Sequence, residues 1–128
     1  IEEKESRLKK KAEREEKEKA EQAQREAEEL KNHRNDAEWL ADRFSIIAGS
    51  ACRSLVENLA KYDYEWTDGW LDSKFPSYIT ETKAPYVLTV AGDKIKFQNG
   101  FGAWRKQKYR CDYDVKQGKA LQAYVSEW

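Results

Sequence analysis

Apolar positions recur with three different rhythms along the chain. From Ile1 to about Lys31 nearly every residue is Glu, Lys, Arg, Gln or Ala, with neither Gly nor Pro, and these residue types favour helix intrinsically. A long helix is predicted there. Opposite charges stand four residues apart, as in Glu13 with Lys17 and Glu15 with Lys19, each pair adding ~0.2–0.5 kcal/mol to an exposed helix. Ala20, Ala23, Ala27, Leu30, Ala37, Ala41, Phe44, Ala48, Ala51 and Leu55 follow steps of three and four, with Arg34 filling one slot. That is a heptad register. It is poor in large side chains and fades before Ala20, so two readings stand: a solvated single helix, or a coiled coil joining copies of the chain.

The second rhythm begins after Asn32-His33-Arg34-Asn35. Asn35 followed by Glu38 has the spacing of a capping box that starts a new helix. From Asp36 to about Tyr62, Leu40, Phe44, Ile47, Ala48, Ala51, Leu55 and Leu59 share one face, the pattern of an amphipathic helix packed on a core.

Residues 62–78 read as an irregular aromatic connection containing Gly69 and Pro76. Strand-like runs follow at Tyr86–Val90, Lys94–Phe97, Phe101 to about Val115 and Ala120 to about Glu127. Gly92-Asp93, Asn99-Gly100 and Gln117-Gly118 separate them. Asn-Gly between two alternating runs is a strong hairpin signal, because both positions tolerate positive φ. In the third run Tyr109, Cys111, Tyr113 and Val115 alternate with Lys108, Arg110, Asp112 and Asp114, so Cys111 is expected on the buried side. A helix laid across an antiparallel sheet would bring Cys52 towards Cys111, as two buried thiols or as a disulfide. The fold class is therefore α+β: residues 1–35 form a charged helical stalk or coiled coil, and residues 36–128 a small domain with a helix on an antiparallel sheet.

Composition supports that division. All sixteen aromatics lie beyond residue 38, so apolar surface able to offset chain entropy is concentrated in the second part. Net charge is zero, and residues 1–36 hold twelve acidic and eleven basic side chains. Neither part is a polycation, which argues against bulk attraction to nucleic acid or anionic lipid. No apolar run approaches the ~20 residues of a membrane span. The chain starts at Ile1 and has no methionine, so it reads as a processed piece, and a membrane could be reached only through an upstream anchor.

Candidate chemistry is sparse. One histidine, His33, and two cysteines show no metal-ligand spacing, and no cofactor or metal is expected. Gly100 and Gly102 lack the Lys-Ser/Thr and following helix of a phosphate cradle. No serine has a triad partner in view, and the reading is non-enzymatic. Trp66, Trp70, Tyr62 and Tyr64 are the candidate partner-binding residues, since such side chains yield binding energy efficiently. Trp104, Arg105, Lys106, Lys108 and Arg110 carry the alternative, a single-stranded nucleic-acid interface.

Cys52, Phe75-Pro76, Tyr86, Gly92, Gln98-Asn99-Gly100-Phe101-Gly102-Ala103, Arg105 and Cys111 together resemble an uncharacterised family of small bacterial and phage domains, often exported or membrane-tethered. The resemblance covers about residues 50–115. It implies a compact α+β domain, a disulfide from Cys52 to Cys111 and an oxidising compartment, periplasmic, envelope-associated or extracellular. It implies no catalytic activity. The charged helix in front and the tryptophan-rich connection are departures from that pattern, and the partner, an unidentified protein, is expected to use them. A bond closing so long a loop would contribute about 4 kcal/mol in the chain-entropy model.

Overall fold

A computed structural model describes residues Ile1 to Glu127. Two units are separated at residue 33. The first is one helix, α1 (Glu2–Asn32), in which no residue is buried. Glu2, Glu3 and Glu5 lie in its first turn and Lys31 in its last, charges that complement the helix dipole. His33 closes it, with its backbone N–H reaching the carbonyls of Glu29 and Leu30.

The second unit, the head, begins at Arg34. Its helix α2 (Ala37–Glu57) is capped by Asp36, whose Oδ1 accepts from the Trp39 backbone N–H at 3.1 Å. Asp36, rather than Asn35, is thus the capping residue. The break between the helices also ends the heptad register: Ala37, Ala41 and Ala48 are buried within the head.

The strands are β1 (Tyr64–Trp66), β2 (Ser77–Tyr78), β3 (Val87–Gln98), β4 (Trp104–Asp114) and β5 (Lys119–Glu127). All pairings are antiparallel. The order is β1-β3-β4-β5, with β2 also pairing β3. The helix and sheet make this an α+β fold. β1 and β2 both lie in the connection predicted to be irregular. They were hidden because a strand of two or three residues is too short to show alternation.

α2 packs on one face of the sheet, here the inner face, against β3, β4 and β5. Leu40, Ala48, Cys52 and Val56 of the helix are fully buried, with Leu88, Val90, Ile95, Tyr109 and Cys111 of the sheet. Each large apolar side chain so buried contributes about 1.5–3 kcal/mol. The stripe differs from the predicted one. Ile47 is 55% exposed, Leu59 lies beyond the helix, and Cys52 and Val56 replace Ala51 and Leu55 at the centre of the contact. One position along a helix is about 100° around it, and the buried face so defined includes Cys52, which is bonded to Cys111. The two sulfurs are 2.08 Å apart and the Cα atoms 6.0 Å.

β3 is one continuous strand, not two. Gly92-Asp93 forms an irregularity between Gly92 and Ile95 where the register with β4 shifts, as in a β-bulge. The Tyr109 hydroxyl fills the place made there. It donates to the Lys74 carbonyl and accepts from the Lys94 backbone N–H at 3.2 Å. A Cβ on residue 92 would collide with both the Lys74 oxygen and the Tyr109 ring, so only glycine fits.

Candidate functional site

The four aromatics expected to bind a partner are divided by the fold. Trp66 turns onto the inner face, where its ring meets Tyr109 edge-on at 5.5 Å and its Nε1 donates to Glu57 Oε2 at 2.7 Å. Phe75 packs edge-on against the same tyrosine at 5.1 Å. Lys74 lies over Trp66 and pairs with Asp68 at 2.8 Å. Trp66 is therefore spent on the core of the connection. Burial alone would raise the Glu57 carboxyl, but hydrogen bonds from Trp66 and Arg53 outweigh it and hold the group below its ordinary value of 4.5. Burial pushes the Tyr109 hydroxyl up to about 12, with Asp68 and Asp93 adding to the shift and the Lys94 amide opposing it.

Trp70 stands at the tip of the same connection and is 92% exposed beside exposed Leu71. The tip is a tight turn: the Asp72 N–H reaches the Gly69 carbonyl at 3.0 Å, and the Gly69 N–H reaches Asp72 Oδ2 at 3.0 Å.

Tyr62 and Tyr64 belong instead to the end of the β3–β4 hairpin. Tyr64 pairs with Phe97, and the Asp63 carbonyl accepts from the Gln98 N–H at 2.9 Å. Tyr62 lies against Gly100, where an added Cβ would come within 2.9 Å of its hydroxyl. The turn is not the two-residue Asn-Gly type expected. It spans residues 99–103, and Gly102, not Gly100, takes the positive φ, at 83°. Asn99 organises it, with Oδ1 accepting from the Phe101 and Ala103 backbone N–H groups at 2.9 and 3.0 Å. Phe101 projects from the apex at 99% exposure. Tyr62, Tyr64 and Trp104, all exposed, accompany it, beside a shallow cleft of about 340 Å³ lined by Leu59, Tyr62, Phe97 and Arg105.

Of the residues singled out for nucleic acid, Trp104, Lys106, Lys108 and Arg110 alternate along β4 onto the outer face of the sheet. Arg105 falls on the inner side with Phe97, its register partner. Lys96 stands opposite Lys106 and Glu65 opposite Lys96. The outer face thus carries a basic row that begins with an indole.

The outer face also holds an arrangement with no local sequence signal. Asp112, only 6% exposed, accepts from Thr89 Oγ1 at 2.6 Å, Tyr124 Oη at 3.1 Å and Lys83 Nζ at 3.2 Å. Lys83 lies 4.3 Å from the centre of the Tyr124 ring. Partial burial would lower the Lys83 ammonium, but Asp112 and Tyr124 prevail and raise it above its ordinary value. A cleft of about 600 Å³ opens beside this cluster. Alternation in β5 could have put Tyr124 on the polar side. Nothing local marks Lys83, which meets Asp112 across 29 positions.

Among the described residues no three His, Cys, Asp or Glu side chains converge as metal ligands, and no helix is long and apolar enough to cross a membrane. Comparison with protein-family models, curated proteins and solved structures finds no match.

Proposed function

We propose that the chain is a non-enzymatic protein-recognition or structural module, with the head as its binding part. The observation that carries this reading is the hairpin end, where Phe101 projects from a turn organised by Asn99 and Tyr62, Tyr64 and Trp104 stand exposed around it. Aromatics carried on a hydrogen-bonded turn and on paired strands need little backbone ordering when a partner covers them, and such side chains supply contact energy out of proportion to their number. Trp70 at its own braced tip is a second contact of the same kind. The Cys52–Cys111 bond supports an exported or envelope-associated setting, because disulfides persist where the surroundings are oxidising. The alanine stripe of α1 supports self-association of the stalk.

A photoreactive amino acid at position 101, introduced in the organism that makes the protein, tests the binding reading. A discrete protein adduct is expected, weakened by Tyr62→Ala and absent when the probe sits at Lys116. Equal adducts from both positions would overturn it. For the stalk, sedimentation of the chain against Leu30→Asp is decisive, since equal monomer masses end the coiled-coil reading.

A second reading, single-stranded nucleic-acid binding, is favoured by one observation: Trp104, Lys106, Lys108 and Arg110 share the outer face of β4. Such an interface would bind oligonucleotide with a steep salt dependence. No binding at low salt removes it.

A further inference from the structure

Across the outer face runs a transverse row of register partners: Ser77 on β2, Ala91 on β3, Arg110 on β4 and Tyr124 on β5. Neighbouring strands are about 4.8 Å apart, so these side chains stand close together on one face. Ala91 and Ser77 are small and leave a depression beside Arg110 and Tyr124. Ile79 and Lys83, from the segment that follows β2, add to its wall, as do Asp93 and Lys108. The resulting volume, about 600 Å³, lies within the ~300–1,000 Å³ typical of small-molecule sites. A bare ion would occupy little of it.

Three cations, Lys83, Lys108 and Arg110, line this cleft. Lys83 is paired with Asp112, and Asp93 with Lys94 at 3.6 Å. Arg110 lies exposed on the cleft and makes no ion pair with a described residue. Its guanidinium is a planar fork suited to two oxygens of one carboxylate or phosphate. Asp112 meanwhile pins Lys83 and Tyr124, which line the cleft with Arg110, by direct hydrogen bonds. Lys83 has three N–H donors and uses one on Asp112. Tyr124 offers a ring face, and Ile79 and Ala91 add apolar surface. Fixed polar groups on an apolar floor are the ordinary design of a ligand site.

We propose that this cleft binds a small organic oxyanion, an acid or phosphoester whose charged group meets Arg110 and Lys83 and whose body lies against Tyr124, Ile79 and Ala91. The site is distinct from the hairpin end and stands whether or not a protein binds there. One carboxylate or one phosphate group is the shared chemistry, and an apolar or flat remainder separates it from inorganic anions.

The test is an amide NMR titration of the whole oxidised chain at fixed ionic strength, with benzoate, phenyl phosphate, inorganic phosphate and neutral benzamide as probes. Saturable shifts at Ser77, Ala91, Arg110 and Tyr124 are expected with benzoate or phenyl phosphate. The stronger of the two identifies the oxyanion. Binding should be roughly tenfold tighter than for benzamide, and Arg110→Gln should weaken it roughly tenfold, as expected for losing a charge-assisted contact. Lys83→Met should also weaken it. Because Arg110 is exposed, the amide spectrum of Arg110→Gln should keep its dispersion. The proposal is overturned if benzamide matches benzoate, if Arg110→Gln binds as well as the parent chain, or if inorganic phosphate binds as well as phenyl phosphate. It is also overturned if oligothymidylate shifts the same amides and neither acid displaces it, an outcome that would assign the face to nucleic acid.

Discussion

The two helices of this chain are held by different physics. α1 runs for 31 residues without burying one of them, whereas α2, ten residues shorter, buries six and is bonded to the sheet through one of these. Helix in α1 rests on local terms: propensity, charge spacing and end charges. Helix in α2 rests on contacts with residues far away in the chain. A local helix weakens gradually under perturbation, and a tertiary one is lost with its partners. The head's candidate recognition surfaces all belong to the cooperative region, so their geometry depends on the staple and on the Tyr109 cluster.

Breaking the staple should separate the two regions most. Cys52→Ala with Cys111→Ala removes a link across 59 positions, and the head should lose about 4 kcal/mol in the chain-entropy model. Thermal unfolding followed by near-ultraviolet dichroism would show the loss in the head, while far-ultraviolet signal from α1 persists. Simultaneous loss of both signals would refute the comparison.

The Tyr109 cluster gives the next largest effect. Gly92→Ala drives a methyl into the Lys74 carbonyl and Tyr109 and should cost about 1–3 kcal/mol by overpacking, measured by denaturant unfolding. The same cluster should respond to alkali. The folded-state pKa of Tyr109 is raised from 10.0 to about 12, so the stability it contributes is complete below pH 10 and disappears as pH rises towards 12. Denaturant midpoints across that range should fall, and less steeply in Tyr109→Phe.

Smaller effects sharpen the comparison at the helix ends. Asp36→Ala removes the cap of α2 and should cost about 1 kcal/mol, visible as a lower melting temperature of the head. At the other end Glu57 is held below 4.5 in the folded state. Its contribution is present above that pH and lost as the solution is acidified through the folded pKa. Glu57→Gln should flatten the acid limb of the stability profile. The smallest effect on the head should come from Ala23→Gly in α1. It weakens local helix by about 1 kcal/mol and should leave the head's melting temperature unchanged.

Legibility in the sequence followed the same division. The long helix was readable from composition, since every residue of α1 meets chiefly solvent and its own neighbours. The α2 helix and the alternation of β4 were readable too, because one face of each is apolar. The apolar spacing predicts a rotation of α2 that differs from the observed one by about one position. The apolar pattern leaves Ile47, Ala51 and Cys52 as near equivalents, and packing on the sheet buries Cys52, bonded to Cys111, together with Leu40, Ala48 and Val56. Gly92 looked like a turn because glycine commonly makes one. It is needed instead to admit a hydroxyl from residue 109. Of the candidate partner residues, Trp66 could not be told from Trp70 by type, yet Glu57 and Tyr109 claim the first and nothing described covers the second.

What the sequence determined by itself is what short-range interactions control: a charged helix, an amphipathic helix after it, alternating strands, and a cysteine on the buried side of one of them. Tertiary structure alone decided which aromatics are spent and which exposed, where the strand is bulged, and that Lys83, Arg110, Asp112 and Tyr124 surround one cleft. Register and packing join residues across long stretches of chain. The free energy of such a contact belongs to both partners at once, so neither local segment carries its signature.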